Sequence, residues 1–599
     1  MALAETRVVL TARAYTVEKQ GLAMNRFMVS GILIVLSCCF ASCGGGGTGP
    51  KPPGDLKPTI SLSISPPVVG PGQVATLEWS SKDANSCVAN GAWSGSRVAS
   101  GTSAISQNSV GTFDYELECS GSGGSAAVSG TLTVTSSTIT VEPQIFGTQM
   151  NPDQLGANLN IGFPDDSNPS YLPLWTSAGV GLFRWPGGIL ADYYHWETHT
   201  YGPCSPFPSP PSATSFDTWM DAIAKPLAAN VAVTINYGTN TTCTGLGDPT
   251  EAAAWVDHAN NIKHYGVKYW TIGNEQYFSR DAATYANRVS SQFYPMMKAK
   301  DQGILVGVDM ALGSGTFDAG SDTWDPIVLA NAKYDFVEMH YYPEHNNEDD
   351  DTALLTTWSD QVATNFSTAK SLLAASGHAN TPIFLGEFDR DSGGSTGSPG
   401  HESVAIVNAL FNAIVVGEAI NAGVKMTATW TGIDLCWPDS LSAPVSSAYG
   451  FQNYGSWGLF AAGGSGFSIS CIDKGAPQGN PFPKARAFQI LHQYVIPGEK
   501  TIQVTSTDNS VRAYCATNGD GYSLLLVNTD PSSTHIVPVT LQNASKTLFT
   551  ATSLSYGKRE YDQSANGVWV GATSGTIGKV GSLFDLSLPP WSLTLVKLQ

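Results

Sequence analysis

Charge is scarce in this chain. Asp, Glu, Lys and Arg together make up 13% of the residues, and 30 basic residues stand against 49 acidic ones, a net charge of −19. A phosphate-rich partner requires a basic face, so this balance removes nucleic acid as a partner and disfavours an anionic membrane surface. No apolar run reaches the roughly 20 residues of a spanning helix. No Cys/His cluster has zinc spacing, no Gly-rich phosphate loop follows a strand-like run, and no fixed-period repeat suggests a solenoid or propeller. What is present is 599 residues with 42% apolar content and 62 glycines. Such a chain is too apolar to be disordered and long enough for about three to four structural units.

The first forty residues read as an address. Asn25 and Arg26 follow Met24, an apolar run extends from Phe27 to Phe40, and Ala41-Ser42-Cys43 leads into four glycines. This order of basic, apolar and small residues is that of a secretory signal. It resembles a bacterial lipoprotein signal, which implies that Cys43 is lipidated and becomes the mature N-terminus, with Cys38 as the alternative cleavage position and an uncleaved membrane anchor as the other reading. The expected location is the cell envelope, at the outer membrane or cell surface, with the lipid as the only membrane contact. Residues 1–42 hold four basic and two acidic residues, so residues 43–599 carry 26 basic against 47 acidic residues, a net charge of −21. Export permits disulfides. The expected pairs are Cys87–Cys119, Cys204–Cys243 and Cys436–Cys471, with Cys515 free, although six cysteines allow fifteen arrangements.

The body divides by composition. Residues 1–43 are the signal and lipobox region, and 44–58 form a Gly/Pro linker unable to bury a core. Over 59–136, short alternating runs (ISLSIS, ATLEW, YELEC, GTLTV) between Gly, Ser and Asn turns predict a small antiparallel sandwich. Trp79, Cys87 and Cys119 give it a loose resemblance to an immunoglobulin-like module, in which the tryptophan normally lies between the cysteines; a spacer role is expected. Residues 137–499 alternate strand and helix. Eight apolar runs, QIFGTQM, VGLFRW, VAVTINY, VKYWTIG, ILVGVDM, FVEMHYY, PIFLGEF and KMTATWT, predict a (β/α)8 TIM barrel. Residues 500–599 return to short strands and predict a C-terminal β-sandwich, which strand 138–144 joins.

Catalytic groups of such a barrel stand at the C-terminal ends of its strands. The fourth run ends in Gly273-Asn274-Glu275 and the seventh carries Gly386-Glu387-Phe388. Two carboxylates three strands apart can face each other across the mouth, and a carboxylate pair is what glycosidic cleavage needs: one protonates the leaving oxygen, the other attacks or stabilises the anomeric carbon. Asn274 offers an amide to a sugar hydroxyl. Alternation places His340 and Tyr342 on one face of the sixth strand, beside Glu387. Trp430, at the end of the eighth run, is the tryptophan expected to stack on sugar, and Asp192, Asp309 and Asp434 are loop candidates for hydrogen bonds to it. The acidic run from Glu344 to Asp351 lacks regular calcium-ligand spacing and reads as a solvated loop.

The runs FRWPGG, INYGT, EAAAWVDHAN, YWTIGNE and FLGEF resemble the clan-A glycoside hydrolases, in order and spacing closest to glycoside hydrolase family 51, the α-L-arabinofuranosidases. The resemblance covers residues 145–500. It implies Glu275 as acid/base, Glu387 as nucleophile, Asn274 as a contact to the sugar 2-hydroxyl, Tyr342 as a partner of the nucleophile and Arg184 as its neighbour from strand two. Arg184, Asn274, His340, Tyr342 and Trp430 make up the expected substrate-binding set. Repulsion from ionised Glu387 is expected to keep Glu275 protonated near neutral pH, with Arg184 and Tyr342 favouring the charged form of Glu387. The pattern departs from the family twice. Ile189 follows Pro186-Gly187-Gly188 where the family has a sugar-binding asparagine, and the first-strand glutamate is replaced by Gln149 or Asn151. The reading is a retaining hydrolase of polysaccharide or oligosaccharide that needs no metal and no organic cofactor. The alternatives are another clan-A specificity (β-glucuronidase, β-xylosidase or endoglucanase) and a non-catalytic carbohydrate-binding surface protein; nothing in the sequence sets the oligomeric state.

Overall fold

The computed structural model describes residues 56–161, 166–201, 204–205, 214–313, 323–344, 350–393, 399–438, 454–462, 471, 476–564 and 570–599. The signal region, Cys38 and Cys43 lie outside these. Strands covered on both sides must be apolar along most of their length, and eight such strands lie parallel in sequence order: β1 (Gly156–Asn158), β2 (Leu182–Trp185), β3 (Asn230–Ile235), β4 (Tyr269–Ile272), β5 (Leu305–Met310), β6 (Phe336–Tyr341), β7 (Ile383–Phe388) and β8 (Met426–Thr427). Closure comes from a parallel bridge between Ala157 and Thr429. There the Asn158 amide donates to the Thr429 carbonyl at 2.9 Å and the Thr429 amide to the Gly156 carbonyl at 3.0 Å. The result is a (β/α)8 barrel.

Seven of the eight runs read from the sequence supply these strands, and the first does not. QIFGTQM is the end of a long strand, Ile139–Gln149, that belongs to another sheet. Phe146 in that run is 56% exposed, which a barrel strand would not tolerate. The actual β1 is the three-residue Gly156–Asn158, too short and too weakly apolar to register as a strand. The helices behave as their caps dictate. Asp248 accepts from the Thr250 amide and Pro249 opens the helix Pro249–Val256, while Asp281 caps the helix Ala282–Arg288. Both arrangements satisfy amides at the first turn.

The strand Ile139–Gln149 lies inside a nine-stranded sheet formed with residues 500–598, between Lys500–Ser506 on one side and His535–Leu541 on the other. Alternation gives this sheet two apolar faces. Leu524 and Leu526 close its own core with Ile139, Val141, Val537 and Val596, whereas Leu525 and Val527 join the barrel's core with Phe488 and Leu491. The sequence showed no useful helix in this region; a short one, Lys558–Ser564, is present.

Residues 59–134 form two small sheets, of three and five strands, around Leu77, Trp79, Tyr115 and Leu117. Cys87 and Cys119 pair across neighbouring strands of the same sheet, so this bridge staples one sheet and does not join two. The other bridges are Cys204–Cys243 and Cys436–Cys471, and Cys515 is buried and free. The small sheets touch the large one, with the Val68 amide donating to Asp585 at 3.2 Å and the Gln73 amide group to Thr540 at 2.8 Å. Among the described residues, no helix is long and apolar enough to cross a membrane.

Barrel closure depends on a residue without a side chain. A Cβ at Gly156 would overlap the Thr427 carbonyl oxygen and lie 3.0 Å from that of Leu182, so β1 could not fit between β8 and β2. Gly156→Ala is expected to lower unfolding stability by about 1–3 kcal/mol, measured by urea denaturation; unchanged stability would show that the seam has slack.

Candidate active site

The eight parallel strands end on one side of the barrel, and side chains from four of them meet around Arg184 on a fifth. This residue, on β2, is 1% exposed. Its guanidinium donates to Asn158 at 3.0 Å, to Glu387 at 2.7 Å and to Asn274 at 2.8 Å, and its Nε pairs with Glu338 at 2.5 Å. Burial alone would lower its affinity for its proton, but the charges of Glu338 and Glu387 outweigh that and raise it. Arg184, expected among the sugar-binding side chains, has its described contacts with Asn158, Asn274, Glu338 and Glu387.

Glu387 leaves β7 pointing into this cluster. Besides Arg184 it accepts a hydrogen bond from the Tyr342 hydroxyl at 2.6 Å. The register between β6 and β7 shifts after Met339, which sets His340 opposite Glu387. Gly386 is glycine for a steric reason, since a Cβ there would overlap the Glu338 carboxylate.

Glu275 is delivered differently. After β4 the chain turns through Gly273, at φ +85°, and Glu275 itself sits at φ +50°, a left-handed conformation that costs a non-glycine residue energy and persists only where its surroundings hold it. Two buried carboxylates do so. Asp309 accepts from the Gln276 amide at 2.9 Å. Asp192 accepts from the Asn274 amide at 3.3 Å, from the Gln276 side chain at 2.6 Å and from the Tyr237 amide at 3.2 Å. Burial pushes Asp192 up to about 7, and burial followed by the charge of Glu338 pushes Asp309 well above the carboxylate range. Asp434, also expected to reach sugar, is fully buried and accepts from the Trp457 amide and the Trp437 indole, both at 3.0 Å. All three aspartates are internal braces, and the reason is the same: each sits where backbone amides left over at strand ends need acceptors.

His340 lies between the acids. Its Nδ1 is 3.0 Å from Glu275 and 3.7 Å from Glu387, and its Nε2 is 3.1 Å from Glu338. Burial would lower its pKa, but the charge of Glu387 and the hydrogen bonds of Glu275 and Glu338 raise it to about 10. Burial raises the Glu275 pKa, yet the hydrogen bond and charge of His340 and the Tyr277 hydroxyl, 3.1 Å away, hold it below the ordinary carboxylate range. This reverses the expectation that repulsion from Glu387 keeps Glu275 protonated: an intervening cation outweighs the more distant anion. One oxygen each of Glu275 and Glu387 and a ring nitrogen of His340 lie within 4.8 Å of one another, the one such donor group among the described residues. Arg184 and the Tyr342 hydroxyl already engage the two oxygens of Glu387.

Trp430 is half-buried against the turn after β2. A Cβ on Gly188 would come 2.5 Å from its ring, and one on Gly187 3.2 Å, so the two glycines make room for the indole. Behind it, buried Lys484 donates to the Trp430 carbonyl at 2.7 Å and the Trp457 carbonyl at 2.6 Å, and pairs with Asp389 at 2.6 Å. The sequence reading missed Asn158, Glu338 and Lys484. Glu338 had a signal, being a lone acid in an otherwise apolar central strand; Asn158 was hidden by the misplaced first strand, and Lys484 had none. Glu344, placed in a solvated loop, is fully buried and paired with Arg390; residues 345–349 of that run lie outside the described residues.

No known family's sequence profile matches the chain, and no curated protein matches it in sequence. Solved structures do. An α-L-arabinofuranosidase from Thermotoga maritima, in complex with arabinose, superposes with a TM-score of 0.57 at 18% identity over 77% of this chain and 99% of its own. A family 51 α-L-arabinofuranosidase from Bifidobacterium longum gives 0.57 at 14% identity over the same shares. A family 44 xyloglucanase from Paenibacillus polymyxa gives 0.52 at 11% identity, again over 77% and 99%. At these identities the likeness establishes the architecture that the three share with this chain: a (β/α)8 barrel joined to a large β-sheet domain.

Proposed function

We propose that this chain is a retaining glycoside hydrolase of the clan-A type, with Glu387 as nucleophile and Glu275 as acid/base. The observation that carries the reading is the carboxylate pair: two acids from β4 and β7 with oxygens within 4.8 Å of each other, in the range where one acid attacks directly and no water fits between acid and sugar. Their surroundings suit two different jobs. Glu387 is held by Arg184 and Tyr342 as an oriented anion. Glu275, its side chain 26% exposed, faces the opening, where a leaving group departs.

In the first half-reaction a Glu387 oxygen bonds to the anomeric carbon as the glycosidic bond breaks, and Glu275 delivers a proton to the departing oxygen. That proton is stored on the Glu275–His340 pair, whose heavy atoms are 3.0 Å apart. In the second, water attacks the anomeric carbon, its proton passes to Glu275, and Glu387 leaves as a carboxylate. The nearest substrate reading is an α-L-arabinofuranoside, which the Thermotoga maritima and Bifidobacterium longum likenesses support. Two positions favour the second reading, another clan-A specificity: Ile189, 51% exposed after the Pro186-Gly187-Gly188 turn, and the position filled by Gln149 or Asn151, where the resemblance implies a glutamate. A panel of nitrophenyl glycosides and polysaccharides with product analysis separates the two. The segment before residue 59 is proposed to export and tether the enzyme through lipidated Cys43.

Replacing Glu275 with Gln should lower kcat by about 10²–10⁴-fold on substrates with poor leaving groups and far less on the first step of dinitrophenyl glycosides. Glu387→Gln should abolish turnover on both. Equal losses for Glu275→Gln across all leaving groups would remove its role as acid.

The alkaline limb of kcat/KM reports loss of the proton from the Glu275–His340 pair. Because His340 is raised to about 10, activity should persist through pH 8 and fall as pH approaches 10. A limb near 6.5, the ordinary histidine value, would contradict this proton store.

Cys43→Ser should move the full-length protein from the membrane fraction to the soluble fraction with unchanged turnover of a small aryl glycoside. An unchanged membrane fraction would remove the lipid anchor.

A further inference from the structure

Asp192 stands outside the two-carboxylate chemistry, yet it grips both sides of the residue that carries the acid. It lies in the short helix Ile189–Tyr193 after β2 and is buried. Its Oδ1 accepts from the Tyr237 amide at 3.2 Å, and its Oδ2 from the Asn274 amide at 3.3 Å and the Gln276 side chain at 2.6 Å. Asn274 and Gln276 flank Glu275 in sequence, so one carboxylate spans the left-handed residue between them. From the β3 side Gly238 packs so closely that a Cβ there would lie 2.6 Å from that of Asp192. Three donors meet the two oxygens and, among the described residues, no acceptor does. An ionised carboxylate suits such a set. A protonated one does not: its hydroxyl finds no acceptor, and hydrogen bonds to a neutral group are roughly half as strong as those to an anion. The backbone at Glu275, φ +50°, persists only while its surroundings hold it.

We infer that Asp192 is a positioning residue whose ionised form holds Glu275 in place, so that uptake of one proton from solvent by Asp192 disables the acid/base and spares the nucleophile. The inference rests on the hydrolase reading above. The groups facing Asp192 are Tyr237 after β3, Gln276 and Arg280 after β4, Asp309 on β5 and Tyr285 on the helix Ala282–Arg288. Arg280 is the cation among them. Its guanidinium donates to the Gln276 side-chain oxygen and to the Gly238 carbonyl, both at 3.4 Å, which leaves the Gln276 amide group aimed at Asp192. Burial pushes Asp192 up to about 7 against the three hydrogen bonds and the charge of Arg280, so both of its forms are populated near neutrality. Glu387 is anchored elsewhere, by Arg184 and Tyr342, and the Asn274 side chain by Arg184. Loss of the Asp192 charge therefore falls on Glu275, and the acid limb of acid-assisted cleavage is set by a residue that touches neither sugar nor water.

The test compares kcat/KM for two glycosides of one sugar, an alkyl glycoside that needs acid assistance and a dinitrophenyl glycoside that does not. For the alkyl glycoside, wild-type kcat/KM should fall about tenfold from pH 8 to pH 6, as a single ionisation near 7 requires, while the dinitrophenyl glycoside shows no limb there. Asp192→Asn keeps the shape and imitates the protonated form. Its alkyl glycoside kcat/KM should be about a tenth of wild type at pH 8 and flat down to pH 6, with a far smaller loss on the dinitrophenyl glycoside. Arg280→Gln removes the facing cation and should move the wild-type limb to higher pH. A limb of equal size for both glycosides, a limb at the same pH in Asp192→Asn, or an unmoved limb in Arg280→Gln overturns the inference. If Asp192→Asn does not fold, the comparison of glycosides and Arg280→Gln still decide it. Wild-type protein that cleaves no glycoside would fail the hydrolase reading. In that case NMR of the full chain tests Asp192 by itself: the Glu275 and Gln276 amide signals should move with a midpoint near 7 that Arg280→Gln raises, and amides that stay still overturn the inference.

Discussion

A guanidinium removed from water holds the working end of this barrel together. Arg184 reaches Asn158 at the end of β1, Asn274 after β4, Glu338 on β6 and Glu387 on β7 from its own place on β2. A buried charge is destabilising unless its partners compensate for desolvation, so every one of these contacts is a requirement, and each fixes the height of one strand end relative to the others. The small exceptions to regular structure nearby follow from it. The register shift between β6 and β7 and the bare Gly386 beside Glu338 bring acids to a fixed cation, and the left-handed turn at Glu275 follows Asn274, whose side chain accepts from that cation.

The cluster then sorts its acids by environment. Glu275, Glu338 and Glu387 belong to one residue type, but one is partly open to solvent, one is sealed and one is clamped by a phenol and Arg184. Asp192 and Asp309 lie just outside, where burial favours their protonated forms, and they serve the backbone instead. Such separation of like groups by surroundings is what acid and base chemistry on one fold depends upon. Lys484 extends the same device to the last strand, tying the Trp430 and Trp457 carbonyls to Asp389, two residues beyond Glu387.

The barrel and its two acids were legible because their signals are local. Seven apolar runs of six or seven residues announce buried strands, and Glu275 and Glu387 stand near where those runs end. What escaped was set by tertiary context. The strand Gly156–Asn158 is defined by its neighbours and not by its own composition, while QIFGTQM has the composition of a strand and a different sheet to join. The aspartates at 192, 309 and 434 look like ligands in sequence because Asp is common in loops, yet their burial makes them acceptors for the backbone. The protonation of Glu275 was misjudged because pairwise repulsion can be reasoned from two positions, whereas the cation between them requires knowing where His340 points.

The insertion of Ile139–Gln149 into the middle of the nine-stranded sheet has a consequence for how the molecule is made. This strand is synthesised before the barrel, but its neighbours, Lys500–Ser506 and His535–Leu541, come some 350 residues later. Contacts so distant in sequence are slow to form, and until they form the strand presents two unpaired edges, a hazard for association with other chains. The barrel therefore closes inside a loop whose two ends must find each other, and the sheet is complete only once nearly the whole polypeptide is present. Barrel and sheet are thus interleaved along the chain, and no single cut in the sequence separates them without leaving a strand of the sheet on the barrel's side.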